Sequence, residues 1–391
     1  MKKTIAIIFA VLFLLGVTAC QKASLPDTSP EYNFETDFNM AYYDAGSTSF
    51  IETEKGYYYV KDFFLRFIDK ETMKDIAVCN RPDCPHGEGV DFVSDLEKCG
   101  AYLGLSAPEE LFYYKGDIYG FICQDNSETV GIESRCLVKI SEDGTARKTV
   151  WDMKWEAVNK GEQLYKGFLH RGNYYFYTNL APSSEKRCFS IYAYDLESKK
   201  TRLVYSKEGE DGSNLLAIGS FLYWFYPASG NEHGEIIGPD RIMQLEISTG
   251  EVSEFTGKMS VYPAGDHIYF EEWNDEALIR QMYRMNRDGT EFTKLDFEVE
   301  GIGFGDDKYI YGLGLVLKED SSIHVYDLSS YKEMTQIALP EGIKDPHIKW
   351  MMPGNADILF VTDLAKNYFF YAYKSAIGTP DFQWHQVEKI N

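Results

Sequence analysis

The chain has 391 residues, of which 39 are basic and 61 acidic, a formal charge of −22; 15% are aromatic, including 29 tyrosines. So acidic a surface repels nucleic acid and anionic headgroups, which excludes both as partners, and it suits a cationic ligand or simply the solubility of an exported protein. The aromatic content makes the chain strand-rich.

In chain order, Lys2 and Lys3 precede an apolar run from Ile5 to Val17, followed by Thr18, Ala19 and Cys20. That run falls short of the roughly 20 residues of a membrane-spanning helix. A charged start, a short apolar middle and small residues before a cut predict a signal peptide over 1–19. The VTAC of residues 17–20 resembles the lipobox of bacterial lipoproteins. The resemblance implies a diacylated Cys20 and a chain anchored by lipid on the extracytoplasmic face of the cell membrane; an ordinary secretory signal is the alternative. Residues 20–46 then read as the lipidated cysteine and a flexible tether, with QKASLPDTSPEYN spanning about 20 Å as a coil. Residues 33–46 also suit an outer strand that closes a ring. Removing Lys2 and Lys3 with the signal leaves 37 basic against 61 acidic residues, a charge of −24.

From residue 47 onward the chain repeats one pattern: an apolar strand, a tight turn, a strongly aromatic strand, a variable loop, a third strand, another tight turn and a fourth strand. The aromatic second strands are GYYYV (56–60), DIYGFI (117–122), NYYFYT (173–178), FLYWFY (221–226), HIYFEE (267–272), KYIYGL (308–313) and DILFVT (357–362). Period-two alternation and tight-turn residues recur in each unit. A four-stranded unit at this period predicts an all-β chain, a β-propeller of four-stranded antiparallel blades filling residues 47–391 as one domain. Seven units predict seven blades, with six or eight as alternatives.

MYRMNRDGTEFTKL (282–295) and the LYW of FLYWFY resemble the repeats of TolB-like and YWTD-type propellers, including those of lipoproteins exported by Gram-positive bacteria. Those families are usually six-bladed, and other units here carry Leu-Glu-Ser or Ser-Thr-Gly in place of Asp-Gly-Thr.

Antiparallel order puts the turns between strands one and two, and between three and four, on one face. These are uniformly short. The connections between strands two and three, and between blades, share the other face and are long. They include 123–135, 152–165, 181–186 and 227–240, so this long-loop face is where binding is expected.

Between blades one and two lies CNRPDCPHGEGVDFVSDLEKC, residues 79–99, with the spacing C-x4-C-x-H-x12-C. Cys79, Cys84, His86 and Cys99 can supply a closed tetrahedral zinc site, a structural cofactor. Outside the cytoplasm two of these cysteines can instead form a disulfide clip, and reduced thiols are a third state. A catalytic thiol finds no orienting partner for His86. The loop also resembles one in exported propeller lipoproteins of Gram-positive anaerobes, which implies a structural feature. Cys123 and Cys136 flank one long loop as a candidate cross-strand disulfide, and Cys188 reads as a buried free thiol or the partner of a leftover cysteine.

Asn231, Glu232 and His233 in the blade-four loop, and Trp155, Trp273 and Trp350 near strand ends, are candidate ligand contacts; the tryptophans suit stacking on a sugar or capping the core. Linear motifs for hydrolases, metalloproteases and phosphate binding are absent. The sequence therefore predicts a membrane-anchored extracytoplasmic propeller that binds a protein, peptide or glycan through its long-loop face. A propeller hydrolase or lyase acting on polysaccharide, and a scaffold subunit of an envelope complex, are the alternatives.

Overall fold

In a computed structural model, the described residues are 28–40, 50–61, 63–81, 83–84, 86, 99–103, 110–125, 133–144, 146–153, 162–180, 187–228, 238–274, 279–299, 302–313, 322–341, 349–352, 357–363 and 368–389. They form seven antiparallel sheets, each with its first four strands side by side in chain order. The blades cover 50–77, 110–153, 162–208, 213–256, 260–299, 302–338 and 349–386. Every predicted aromatic strand is the second strand of its blade, so the blade number is seven, neither six nor eight.

The reason for the aromatic second strands lies between the blades. Sheets radiating from an axis leave wedge-shaped gaps that small side chains would not fill. Here rings fill them: Tyr57 meets Phe360 across the seam of blades one and seven at 4.8 Å, and Phe121 stacks on Tyr174 between blades two and three at 5.0 Å. Trp151 and Tyr194 stack at 4.3 Å, and Phe189 and Trp224 join blades three and four at 5.9 Å. Each buried ring contributes about 1.5–3 kcal/mol, plus roughly 0.5–1.5 kcal/mol for a well-oriented pair.

Buried carboxylates add polar joints at the same seams. Glu110 of blade two accepts the Gly167 N–H of blade three at 3.1 Å and the Tyr174 hydroxyl at 3.0 Å. Glu271 of blade five, paired with Arg280, accepts the Gly303 N–H of blade six at 2.8 Å. A Cβ at Gly303 would lie 2.1 Å from the Glu271 carboxylate, so only glycine admits this approach. Between blades six and seven, Asp306 pairs with Lys374 at 2.7 Å.

The ring closes through the C-terminal chain. After the short outer strand of blade seven, His385–Gln386, the chain crosses to blade one. There Glu388–Lys389 runs parallel to Lys74–Asp75 as a fifth strand.

Residues 28–40 differ from the expectation of a tether. They pack on the short-turn end of the ring, with Asp37 and Phe38 buried. The turn residues Lys115 and Arg171, both at positive φ before a glycine, donate their N–H groups to the carbonyls of Glu35 and Thr36, each at 2.7 Å. Arg171 also pairs with Asp37 at 2.9 Å, and His170 Nδ1 accepts the Phe38 N–H at 3.0 Å. The tight turns that shape the hairpins thus leave donors pointing at the channel mouth, and this segment satisfies them. Residues 1–27 and 41–49, including Cys20, lie outside the described residues.

Phe360→Ala should test the seam of blades one and seven. The ring is fully buried between Phe50 and Tyr57, so thermal or denaturant unfolding should show a loss of about 3–5 kcal/mol with the far-UV spectrum of the folded state unchanged.

Candidate metal centre and central channel

The Cys/His stretch is an insertion in the outer edge of blade one. Leu65, on the third strand Phe64–Asp69, gives its carbonyl to the Val78 N–H at 2.9 Å and its own N–H to the Ala101 carbonyl at 2.7 Å. The chain leaves the edge at Val78 and rejoins it at Ala101. Leu103 then donates to the Phe63 carbonyl at 2.8 Å, and Tyr102 bridges to Phe64. Phe64, Ala77, Cys99, Ala101 and Tyr102 make a small apolar cluster, against which Cys79 and Cys84 pack.

Both ends of the insertion and its middle converge. One donor atom from each of Cys79, Cys84, His86 and Cys99 lies within 4.8 Å of all the others. Cys99 Sγ is 3.7 Å from His86 Nδ1, and the Gly100 N–H donates to Cys79 Sγ at 3.4 Å. None of the three cysteines is in a disulfide. His86 reaches this position at φ 50°, a left-handed conformation uncommon for a residue with a Cβ. Burial pushes Cys99 up to about 12. At Cys79 burial also opposes ionisation, but the N–H groups of Arg81 and Gly100 and the thiols of Cys99 and Cys84 outweigh it, and its pKa falls below the ordinary thiol value. Sulfur atoms around a tetrahedral zinc ion are about 3.8 Å apart, so a group this compact has the dimensions of a four-coordinate site. Among the described residues it is the one group of three or more Cys, His, Asp or Glu side chains so arranged.

Blade two abuts the insertion. Arg147 Nη2 donates to the Gly100 carbonyl at 2.6 Å. Gly144, at φ +70°, comes so close to Val78 that a Cβ there would lie 2.5 Å from its carbonyl oxygen. Gly144 belongs to an Asp-Gly-Thr turn, which the sequence marks as a turn but not as a contact to the Cys/His loop.

A cavity of about 260 Å³ runs along the inner strands of blades four, five and six. Leu216, Val261, Tyr262, Phe304 and Asp306 line it, and Phe38 of the N-terminal segment closes one side. It shares no residue with the Cys/His group. Tyr262 is buried, and burial together with the nearby Glu271 carboxylate holds its hydroxyl well above the ordinary phenol pKa. Asp306 is fully engaged: besides Lys374 it accepts the N–H groups of Lys308 and Tyr309 and, at 2.6 Å, the Tyr311 hydroxyl. No linear motif marks these residues, because each inner strand contributes only a few of them.

The other candidate positions are not gathered into a site among the described residues. Cys136 is buried with its thiol 3.8 Å from Asp152; its backbone pairs with Ile122 while Cys123 pairs with Arg135, so the two cysteines are offset by one position. The side chain of Cys123 lies outside the described residues, as do Trp155, Asn231, Glu232 and His233. Trp273 is half-buried at the end of the second strand of blade five, under the Arg280 guanidinium at 5.7 Å. Trp350 is on the first strand of blade seven, and its side chain too is outside the described residues. Cys188 is half-buried, 3.4 Å from the Ser206 hydroxyl, rather than buried as expected.

No protein-family model and no curated protein matches the chain. Solved structures do. An oligogalacturonate lyase in complex with manganese aligns over 85% of this chain and 85% of its own, with 9% identity and a TM-score of 0.50. The β-propeller domain of the Trilobed protease from Pyrococcus furiosus aligns over 87% and 93%, with 12% identity and a TM-score of 0.44. The acylaminoacyl peptidase of Pyrococcus horikoshii aligns over 67% of this chain but 42% of its own length, with 12% identity and a TM-score of 0.43. At these identities the likeness concerns the propeller fold alone.

Gly144→Ala should destabilise the ring by about 1–3 kcal/mol, since it adds both a clash with Val78 and left-handed strain. Gly250→Ala is the control, with a similar φ of +75° and nothing within 4 Å; its cost, read by denaturant melts, should be clearly smaller.

Proposed function

We propose that this protein is a lipid-anchored, extracytoplasmic β-propeller that binds a protein, peptide or glycan through its long-loop face. The observation that carries this reading is the docking of residues 28–40 on the short-turn mouth of the channel. From Cys20 to residue 28 is eight residues, at most about 28 Å of extended chain. A diacylated Cys20 would therefore hold the short-turn face toward the bilayer and turn the long-loop face outward. The same segment lends Tyr32, Phe38, Asn39 and Met40 to the cavity wall, which in this reading leaves the long-loop side for the ligand's approach. One structural zinc ion at Cys79, Cys84, His86 and Cys99 belongs to this reading as a staple for the loop between blades one and two.

Of the two carboxylates that line the cavity, Asp306 and the exposed Asp307, the buried one speaks for binding over bond cleavage. Asp306 is committed to Lys374, Tyr311 and two backbone N–H groups, which leaves it poorly placed to serve as a general acid or base. A charge of −24 on the mature chain suits an exported protein and disfavours nucleic acid.

The reading is checked on the full chain produced in a bacterial host. Cys20→Ala should release it from the membrane fraction. Glycan and peptide arrays probed with the released protein should give a ligand whose affinity falls about tenfold or more when Asn231, Glu232 and His233 are changed together to alanine. Binding indifferent to that change, or turnover of oligogalacturonide or another polysaccharide, would overturn the binding reading. Retention of the Cys20→Ala chain in the membrane would overturn the anchor.

A further inference from the structure

We infer that a zinc ion held by Cys79, Cys84, His86 and Cys99 locks blade one to blade two, a role that rests on the zinc reading and extends it. The donor set favours one ion over a cross-link. Three thiols cannot all be used by a disulfide, which would leave one sulfur and the imidazole over; a single four-coordinate ion uses all four. Three thiolates, a neutral imidazole and a divalent cation make a complex of net charge −1. Arg147, bound to the carbonyl beside Cys99, is one nearby cation that would offset it.

The position of the donors makes the ion a lock and not merely a loop ornament. Cys79 is the first residue of the insertion and Cys99 the next to last, so an ion binding both fixes the distance between Val78 and Gly100. Blade two touches both of those residues, through Gly144 and Arg147, beside its contacts to Lys55 and Tyr58 of the inner hairpin. Val78 and Leu103 also share a core cluster with Leu111, Ile118, Val138 and Ile140 of blade two. Cys79 and Cys99 are separated by 19 residues, so holding them together costs loop-closure entropy that an ion binding both would offset. On its other side the same outer strand, Lys74–Ala77, carries the C-terminal Glu388–Lys389, so the lock sits beside the ring closure.

Metal analysis and amide exchange on the intact mature chain test the two layers separately. Zinc should be present at about one equivalent. After its removal by a strong chelator, exchange should quicken about tenfold or more at Val78, at 100–103 and in the blade-two turn 141–147. The Arg147→Ala variant should retain its zinc but show faster exchange in 141–147. Zinc present with exchange quickened only within 80–98 would overturn the lock and leave the zinc reading standing. A chain without zinc, and with two of the three cysteines joined as a disulfide, would overturn the zinc reading itself.

Discussion

The structure depends on aromatic rings in the wedges between blades. A four-stranded sheet has two faces to bury, and in a ring both are covered by the neighbouring sheets. Large flat side chains on the second strand fill that gap at each seam, as Tyr57 with Phe360 and Phe121 with Tyr174 illustrate. No blade completes its core alone, so stability is shared around the ring and every seam matters. The buried carboxylates Glu110 and Glu271 work within this constraint. Each reaches the N–H of a glycine on the inner strand of the next blade, and at Gly303 the missing Cβ is what leaves room for the carboxylate.

Because the seams carry the fold, whatever interrupts a blade edge must be compensated there. The insertion between Val78 and Ala101 breaks the outer edge of blade one, where hydrogen bonds from Leu65 pass to both sides of the break. Its four donors gather at the break, and two of them, Cys79 and Cys99, lie within two residues of its ends. A metal ion would close the gap covalently where backbone pairing stops. The C-terminal strand supports the same edge from its outer side.

The segment 28–40 links architecture to orientation. Its bonds to the turn residues Lys115 and Arg171 exploit N–H groups that a type I′ geometry leaves outward-facing. A segment expected to be a tether, or from residue 33 an outer strand closing the ring, instead packs on the inner strands, with Phe38 on Phe168 at 4.6 Å. With a lipid at Cys20, the ring would be held to the membrane by a short leash on one face, not by a long one able to swing.

The sequence by itself determined the blades. Period-two alternation, turn chemistry and seven aromatic strands are local, and each blade is one contiguous hairpin pair, so counting them counts the ring. The Cys/His spacing was legible too, but 21 residues can extend to about 70 Å, so only the fold shows that the four donors meet within 4.8 Å. Only the tertiary structure decided what lies around them. The contact of Gly144 and Arg147 with the insertion, the cavity along three inner strands and the docking of 28–40 all join residues distant in the chain. None leaves a periodic trace, because such contacts are set by how neighbouring blades pack and not by the pattern within any one of them.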